Sequence, residues 1–282
     1  MDVEKSFFIL FGVVFIVLFL LVVPWFRNLM RRKELLSSPL KEEWRKIISG
    51  NVPIYRRVPG EFRSELHGLI NVFLSEKNFE GCGGLQITDE IRLCVAAQAC
   101  ILLLNRKTNF FPTLSTVLIY PGVYFAKGPR RIGNQMIEDE TTRLGESWTG
   151  GTVVLSWDHV KHEAVSLNDG QNVVLHEFAH QLDQEDGVAN GLPVLGNGTN
   201  YIEWARILSG EYENLKFEVA RGVRDVIDAY GATNPAEFFA VATETFFEIP
   251  ERMKARHPDL YEEFKKYYNL DPASWKEEGV EL

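Results

Sequence analysis

NVVLHEFAHQLDQEDG, residues 172–187, sets two of the chain's six histidines four residues apart around a glutamate. On a helix, at about 100° per residue, His180 lies about 40° from His176 and one turn above it, while Val174, Phe178 and Leu182 fall on the far side. Side chains at that spacing have Cβ atoms about 5–6 Å apart, so both imidazoles can reach one zinc ion through neutral nitrogens. Glu177, about 100° round from His176, flanks such an ion without ligating it. Zinc lowers the pKa of its bound water toward ~7, and a carboxylate beside it can take the proton and later pass it to a departing amine. The alternative is an amphipathic core helix whose histidines bond to backbone groups.

A hydrolytic zinc site needs a third protein ligand and a position left open for water. The segment TNPAEFFAVATETFFE supplies Glu237, with Glu244 seven residues on and on nearly the same helical face. A second reading is open at the same place. Asn234 as N-cap, Pro235 at the first helical position and Glu237 at the third form a capping box in which Glu237 only reaches back to the backbone. His159 and His162, in WDHVKHE, are rivals by spacing, but no apolar stripe accompanies them and a surface loop is expected there. Asp183 shares the helical edge of the two histidines; it either accepts a hydrogen bond from a ligand ring or helps end the helix before Asp186-Gly187.

Outward from this segment, the 282 residues are 45% apolar and 12% aromatic, enough for a sizeable core. A net charge of −9 argues against a nucleic-acid partner, because gripping phosphates requires a basic face. Three cysteines, Cys82, Cys94 and Cys100, form no CxxC pair and read as small core residues of a reducing compartment. Residues 7–26, FFILFGVVFIVLFLLVVPWF, carry no charge over the length that crosses a bilayer, and read as a transmembrane helix. Asp2, Glu4 and Lys5 precede it and Arg27, Arg31, Arg32 and Lys33 follow it, which is not the pattern of a cleaved signal peptide. The basic side stays inside by the positive-inside rule, so a single-pass cell-membrane protein with a cytoplasmic catalytic domain is expected. A juxtamembrane linker is expected over 27–40 and one domain over 41–275. The sequon at Asn197-Gly198-Thr199 matters only if that domain faces outward.

Helical patterns are expected at 41–49, 61–76 and 89–104, the last with Thr88 as N-cap. Strand-like runs follow at 116–120, 123–126 and 152–157, then helices at 170–184, 201–221, 235–248 and 250–268. Helices, a small sheet, then helices is the order of an α+β domain.

HEFAHQLD at 176–183, DAYGATNPAEFFAVATETFF at 228–247, and VLIYPGVYF with VVLSW upstream resemble the Mlc titration factor A family of bacterial zinc peptidases. The resemblance runs from about Trp44 to Tyr268 and does not cover the membrane span. It implies a gluzincin-like metallopeptidase domain, similar to the catalytic domain of anthrax lethal factor, with helices around a small sheet. It implies that His176, His180 and the glutamate of the PAE segment, Glu237, hold Zn2+, and that the activity is a modest, aminopeptidase-like peptide hydrolysis. Tyr230, seven residues before Glu237, matches the tyrosine of lethal-factor-like sites, and its phenol is suited to donate to an oxyanion. Thermolysin-like enzymes carry an aspartate four residues after the liganding glutamate; here that position is Val241. Glu244 takes its place as the candidate acceptor for a histidine N–H, unless it simply lies on a solvated face with Glu248. Gluzincins hold substrate backbone against an edge strand, for which 152–157 is the candidate, although the same run reads equally as a plain core strand. The partners implied are a peptide or protein substrate, or a transcriptional regulator that the domain sequesters with little or no peptidase activity.

Overall fold

The computed structural model describes residues 3–122, 124–132, 135–143, 145–148, 151–165, 170–196 and 200–276. It is mainly helical, with a small sheet in the middle of the chain, as the α+β order predicts. Helices α1 (Val3–Ser37), α2 (Glu42–Asn51), α3 (Pro53–Arg57) and α4 (Gly60–Glu76) come first, followed by strand β1 (Asn78–Gly81) and helix α5 (Asp89–Ile101). Thr88 caps α5 as expected, its hydroxyl accepting the Ile91 N–H at 3.3 Å.

Strand β2 (Thr116–Tyr120) lies between β1 and β6 (Thr152–Ser156), and all three run parallel. Strand β5 (Gly145–Trp148) closes one end of this sheet, antiparallel to β6, while β3 (Tyr124–Ile132) and β4 (Gln135–Arg143) form a separate antiparallel pair. Two expectations are corrected here. The run at 152–157 is an inner strand that ends at Ser156, so β5 rather than β6 is the edge beside it. The four residues NFEG of β1 gave no strand signal, being too short and too polar for period-two alternation to register.

Helix α6 (Trp157–Val165) follows β6 directly, so His159 and His162 sit on a helix, not in the expected loop. Helices α7 (Val173–Asp183), α8 (Tyr201–Ala220) and α9 (Pro235–Glu248) come next. The single helix expected over 250–268 is two, α10 (Pro250–Arg256) and α11 (Pro258–Tyr268). Pro258 clashes with a helical conformation at His257, which takes φ −130° and ψ 63° instead. His257 is buried there between Glu211, at 2.9 Å, and Asp225, at 2.8 Å. Burial works to lower its pKa, but those two carboxylates outweigh it and raise it.

The core fills the space between these layers. Phe239 of α9 packs against Trp204 of α8, and Phe239 and Phe246 both pack against Phe264 of α11, all fully buried. Cys94 and Cys100 are buried within α5, as expected of small apolar residues, and Cys82 is half-buried. Burial pushes the Cys94 thiol up to about 12.

The first helix departs from expectation in two ways. Residues 27–37, read as a linker, continue α1 and dock on α4: Arg32 makes a bidentate pair with Glu76 at 2.6 and 2.9 Å, and Asn71 donates to the Leu35 and Ser38 carbonyls. Gly68 allows this approach, since a Cβ there would come within 2.3 Å of the Leu36 carbonyl oxygen. The membrane span read over 7–26 is not supported: among the described residues no helix is long and apolar enough to cross a membrane. About half of that stretch's side chains, including 7–10, lie outside the described residues, as does the whole sequon at 197–199.

Candidate metal centre

Helix α7 begins where three of its free N–H groups find acceptors. The Asn172 side chain takes the Leu175 N–H at 3.0 Å, Glu163 takes that of Val173 at 2.6 Å, and Glu244 takes that of Asn172 itself at 2.6 Å. Its apolar face is the predicted one, with Val174, Phe178 and Leu182 at most 1% exposed. Phe178, inside the HEFAH segment, lies against Phe73 and Phe111 at centroid distances of 5.6 and 5.0 Å. The opposite face, carrying His176 and His180, is thereby aimed at α9.

Helix α9 starts on a cap that leaves Glu237 available. Asn234 accepts the Glu237 N–H at 3.0 Å and Pro235 opens the first turn. The Glu237 carboxylate does not close the capping box; its Oε2 lies 3.0 Å from His176 Nε2 and 3.2 Å from His180 Nε2. Asn234→Ala removes this cap and is expected to lower stability by about 1 kcal/mol, a fall in Tm of roughly 2–4 °C measurable by calorimetry.

The two Nε2 atoms are 3.2 Å apart, so three donors converge on one point. Among the described residues His176, His180 and Glu237 are the group able to hold a metal ion. Glu244 Oε1 lies 2.7 Å from His176 Nδ1; an ionised carboxylate only accepts, so Nδ1 carries the proton and Nε2 presents a lone pair. Nε2 and the Glu237 carboxylate face each other at 3.0 Å, so the place between them is filled either by a second proton on the imidazole or by a metal cation. Burial acts to lower the His176 pKa, yet Glu244, Glu237 and Glu177 together hold it well above the usual histidine value. Burial raises the Glu237 carboxyl, but the two imidazoles bring it down to about 2. Both shifts show that the centre favours positive charge. Zinc with N and O donors at about 2.0–2.2 Å has tetrahedral edges of roughly 3.3–3.5 Å, close to the spacings found here, so the residues fit such an ion.

Around this triad the remaining predicted residues fall into place unevenly. Glu177 is 5% exposed, on α7 between the two histidines. Tyr230 sits in a short 3-10 turn, its ring 5.9 Å from that of His176 and half open to solvent. Glu244 and Glu248 are buried, not on a solvated face. Asp183 is the last residue of α7 and takes the Gly191 N–H at 2.8 Å, so it holds the following loop rather than an imidazole. His159 bonds to Ser156 at 3.0 Å and His162 is exposed; neither belongs to the metal-capable group.

Sequence reasoning missed the polar layer beneath. Asn172 donates to Gln98 of α5 and to Glu248 of α9, each at 2.8 Å, tying three helices together behind the histidines. An Asn just before an apolar run is a readable N-cap signal, but its two further partners are remote in sequence.

Paired histidines and a carboxylate on neighbouring helices, with a buried acid between the histidines, form a group able to hold a metal ion, and the class this points to is the metallopeptidases. The chain belongs to the glucose-regulated metallo-peptidase M90 family, whose model matches residues 26–269. It is 41% identical over 244 residues to an uncharacterized protein of Synechocystis sp., covering 86% of this chain and 89% of that one. It is 30% identical to the Mlc titration factor A of Pectobacterium atrosepticum, over 83% of this chain and 88% of the relative, and 28% identical to that of Yersinia pestis, over 84% and 88%.

Proposed function

We propose that the protein is a zinc-dependent peptidase that hydrolyses peptide bonds, with His176, His180 and Glu237 holding the ion. The observation that carries this reading is the convergence of His176 Nε2, His180 Nε2 and Glu237 Oε2 within 3.0–3.2 Å, beside a buried Glu177. When bound, zinc supplies a Lewis acid that polarises the scissile carbonyl and acidifies the attacking water. Glu177 takes the proton from that water and returns it to the leaving amine. The Tyr230 phenol donates to the oxyanion as it develops. Glu244 fixes the His176 tautomer through Nδ1–H, so that Nε2 stays available. Strand β5, at the end of the sheet and against α7, offers its edge for substrate backbone to add as a further strand. Such recognition suits aminopeptidase-like cleavage of short peptides with little side-chain selectivity.

The test is metal analysis of the purified full-length protein alongside peptide hydrolysis. About one zinc per chain, with turnover lost on chelation and restored by zinc, is the expected result. A protein that binds no stoichiometric ion removes the proposal.

The N-terminal helix is part of the same reading as a membrane anchor. Phe11, Phe15, Ile16, Phe19, Leu20, Val22 and Phe26 leave large apolar side chains exposed along α1, and a bilayer is the solvent that suits them. Arg27, Arg31, Arg32 and Lys33 follow, and by the positive-inside rule they favour a peptidase domain on the cytoplasmic side. Protease treatment of intact cells checks this: digestion of the domain from outside reverses the orientation.

The relatives named for titrating Mlc favour a second reading, in which this domain binds a regulatory protein. Retention of that partner by a Glu177→Gln protein with no peptide turnover separates binding from hydrolysis.

A further inference from the structure

Between α7 and α8 the chain crosses the start of the helix that carries Glu237. Gly191, in this loop, adopts φ +75°, and a Cβ on it would meet the Pro235 carbonyl oxygen at 2.3 Å and its carbon at 2.8 Å. Backbone therefore lies directly on backbone two residues before Glu237. Its N–H is held at 2.8 Å by Asp183, which is fully buried three residues after His180. The other Asp183 oxygen is buried, and among the described residues no hydrogen-bond partner meets it, a costly placement for a carboxylate. A residue kept at such cost is expected to have a task beyond ending a helix.

We infer that Asp183 and Gly191 are positioning residues: a brace from the end of α7 to the start of α9 that sets Glu237 against the two imidazoles. Asp183 fixes the loop to the helix bearing both histidines, and Gly191 fixes the same loop to the Pro235 carbonyl. One hydrogen bond and one backbone contact that only glycine permits thus tie the two ligand-bearing helices together beside Glu237, in addition to the bonds that Glu244 and Glu248 make to the start of α7. The brace rests on the metallopeptidase reading above, since its task is to hold that ligand set.

Zinc affinity of the full-length apoprotein, measured by chelator competition, decides it. Gly191→Ala forces Pro235 away and is expected to weaken zinc binding at least about tenfold, the scale on which supporting residues act. Asp183→Ala is expected to do the same, whereas Asp183→Asn keeps an acceptor for the Gly191 N–H and stays close to wild type. A purely structural role lowers the melting temperature of the apoprotein in Asp183→Ala and leaves the affinity of the folded fraction unchanged, and that result overturns the brace. So does an Asp183→Asn protein as weak as Asp183→Ala; this pair decides the matter alone if Gly191→Ala does not fold. Failure of wild type itself to bind zinc is a separate outcome, which removes the metallopeptidase reading and the brace with it.

Discussion

Glu177→Gln lowers kcat on short peptides by about 10³-fold while zinc remains bound, the expected loss when a general base is replaced by its isosteric amide. The side chain is buried beside His176 but stands outside the group whose atoms converge, so the substitution leaves the three ligands and their spacing in place. An amide cannot take a proton from the attacking water, nor return one to the amine. Two measurements are needed on the same preparation, turnover and metal content. Unchanged hydrolysis at full zinc occupancy removes Glu177 from the mechanism; lost zinc would instead show that it supports the ligand set.

The histidine pair was legible because its information is local. A spacing of four residues fixes a shared face on any helix, and the apolar far face predicted from Val174, Phe178 and Leu182 is the one buried. Glu237 lies 57 and 61 residues from its two histidine partners, and from residue types alone it served equally well as the end of a capping box. Only the packing of α7 on α9 separates the two readings, by letting Asn234 cap the helix while the carboxylate turns away. Elsewhere the errors have particular causes. Apolar periodicity ran through His257, although Pro258 was in plain view as a breaker. Residues 152–157 were the edge-strand candidate for their place upstream of the histidine helix, yet their apolar continuity marks an inner parallel strand, and the polar GESW of β5 is the edge. Asp183 was legible as a residue on the edge of the two histidines, but its partner Gly191 carries no pattern at all; a glycine in a loop reads as a turn until the carbonyl beneath it is seen.

Glu244→Gln, the smallest available change, is expected to weaken zinc binding by about 10- to 100-fold, because the amide cannot replace both of the carboxylate's duties. Oε1 accepts from His176 Nδ1–H at 2.7 Å and Oε2 accepts the Asn172 N–H at 2.6 Å, so two donors face two acceptors. Glutamine has one oxygen and one NH2, which cannot serve two donors. If its oxygen stays on the Asn172 N–H, the NH2 donates to His176 Nδ1 and drives the proton to Nε2, blocking the atom that should meet the metal. If the oxygen stays on His176, a buried N–H at the start of α7 is left without a partner, at a cost of about 1–3 kcal/mol, and the helix bearing both histidines loosens. Nitrogen-15 NMR of the apoprotein imidazoles, recorded at a pH high enough to leave His176 neutral, distinguishes the two, since the first shows His176 protonated at Nε2 and the second keeps it at Nδ1 with a lower melting temperature. Wild-type zinc affinity in Glu244→Gln, with His176 still protonated at Nδ1 and an unchanged melting temperature, would show that this carboxylate neither sets the tautomer nor anchors the helix.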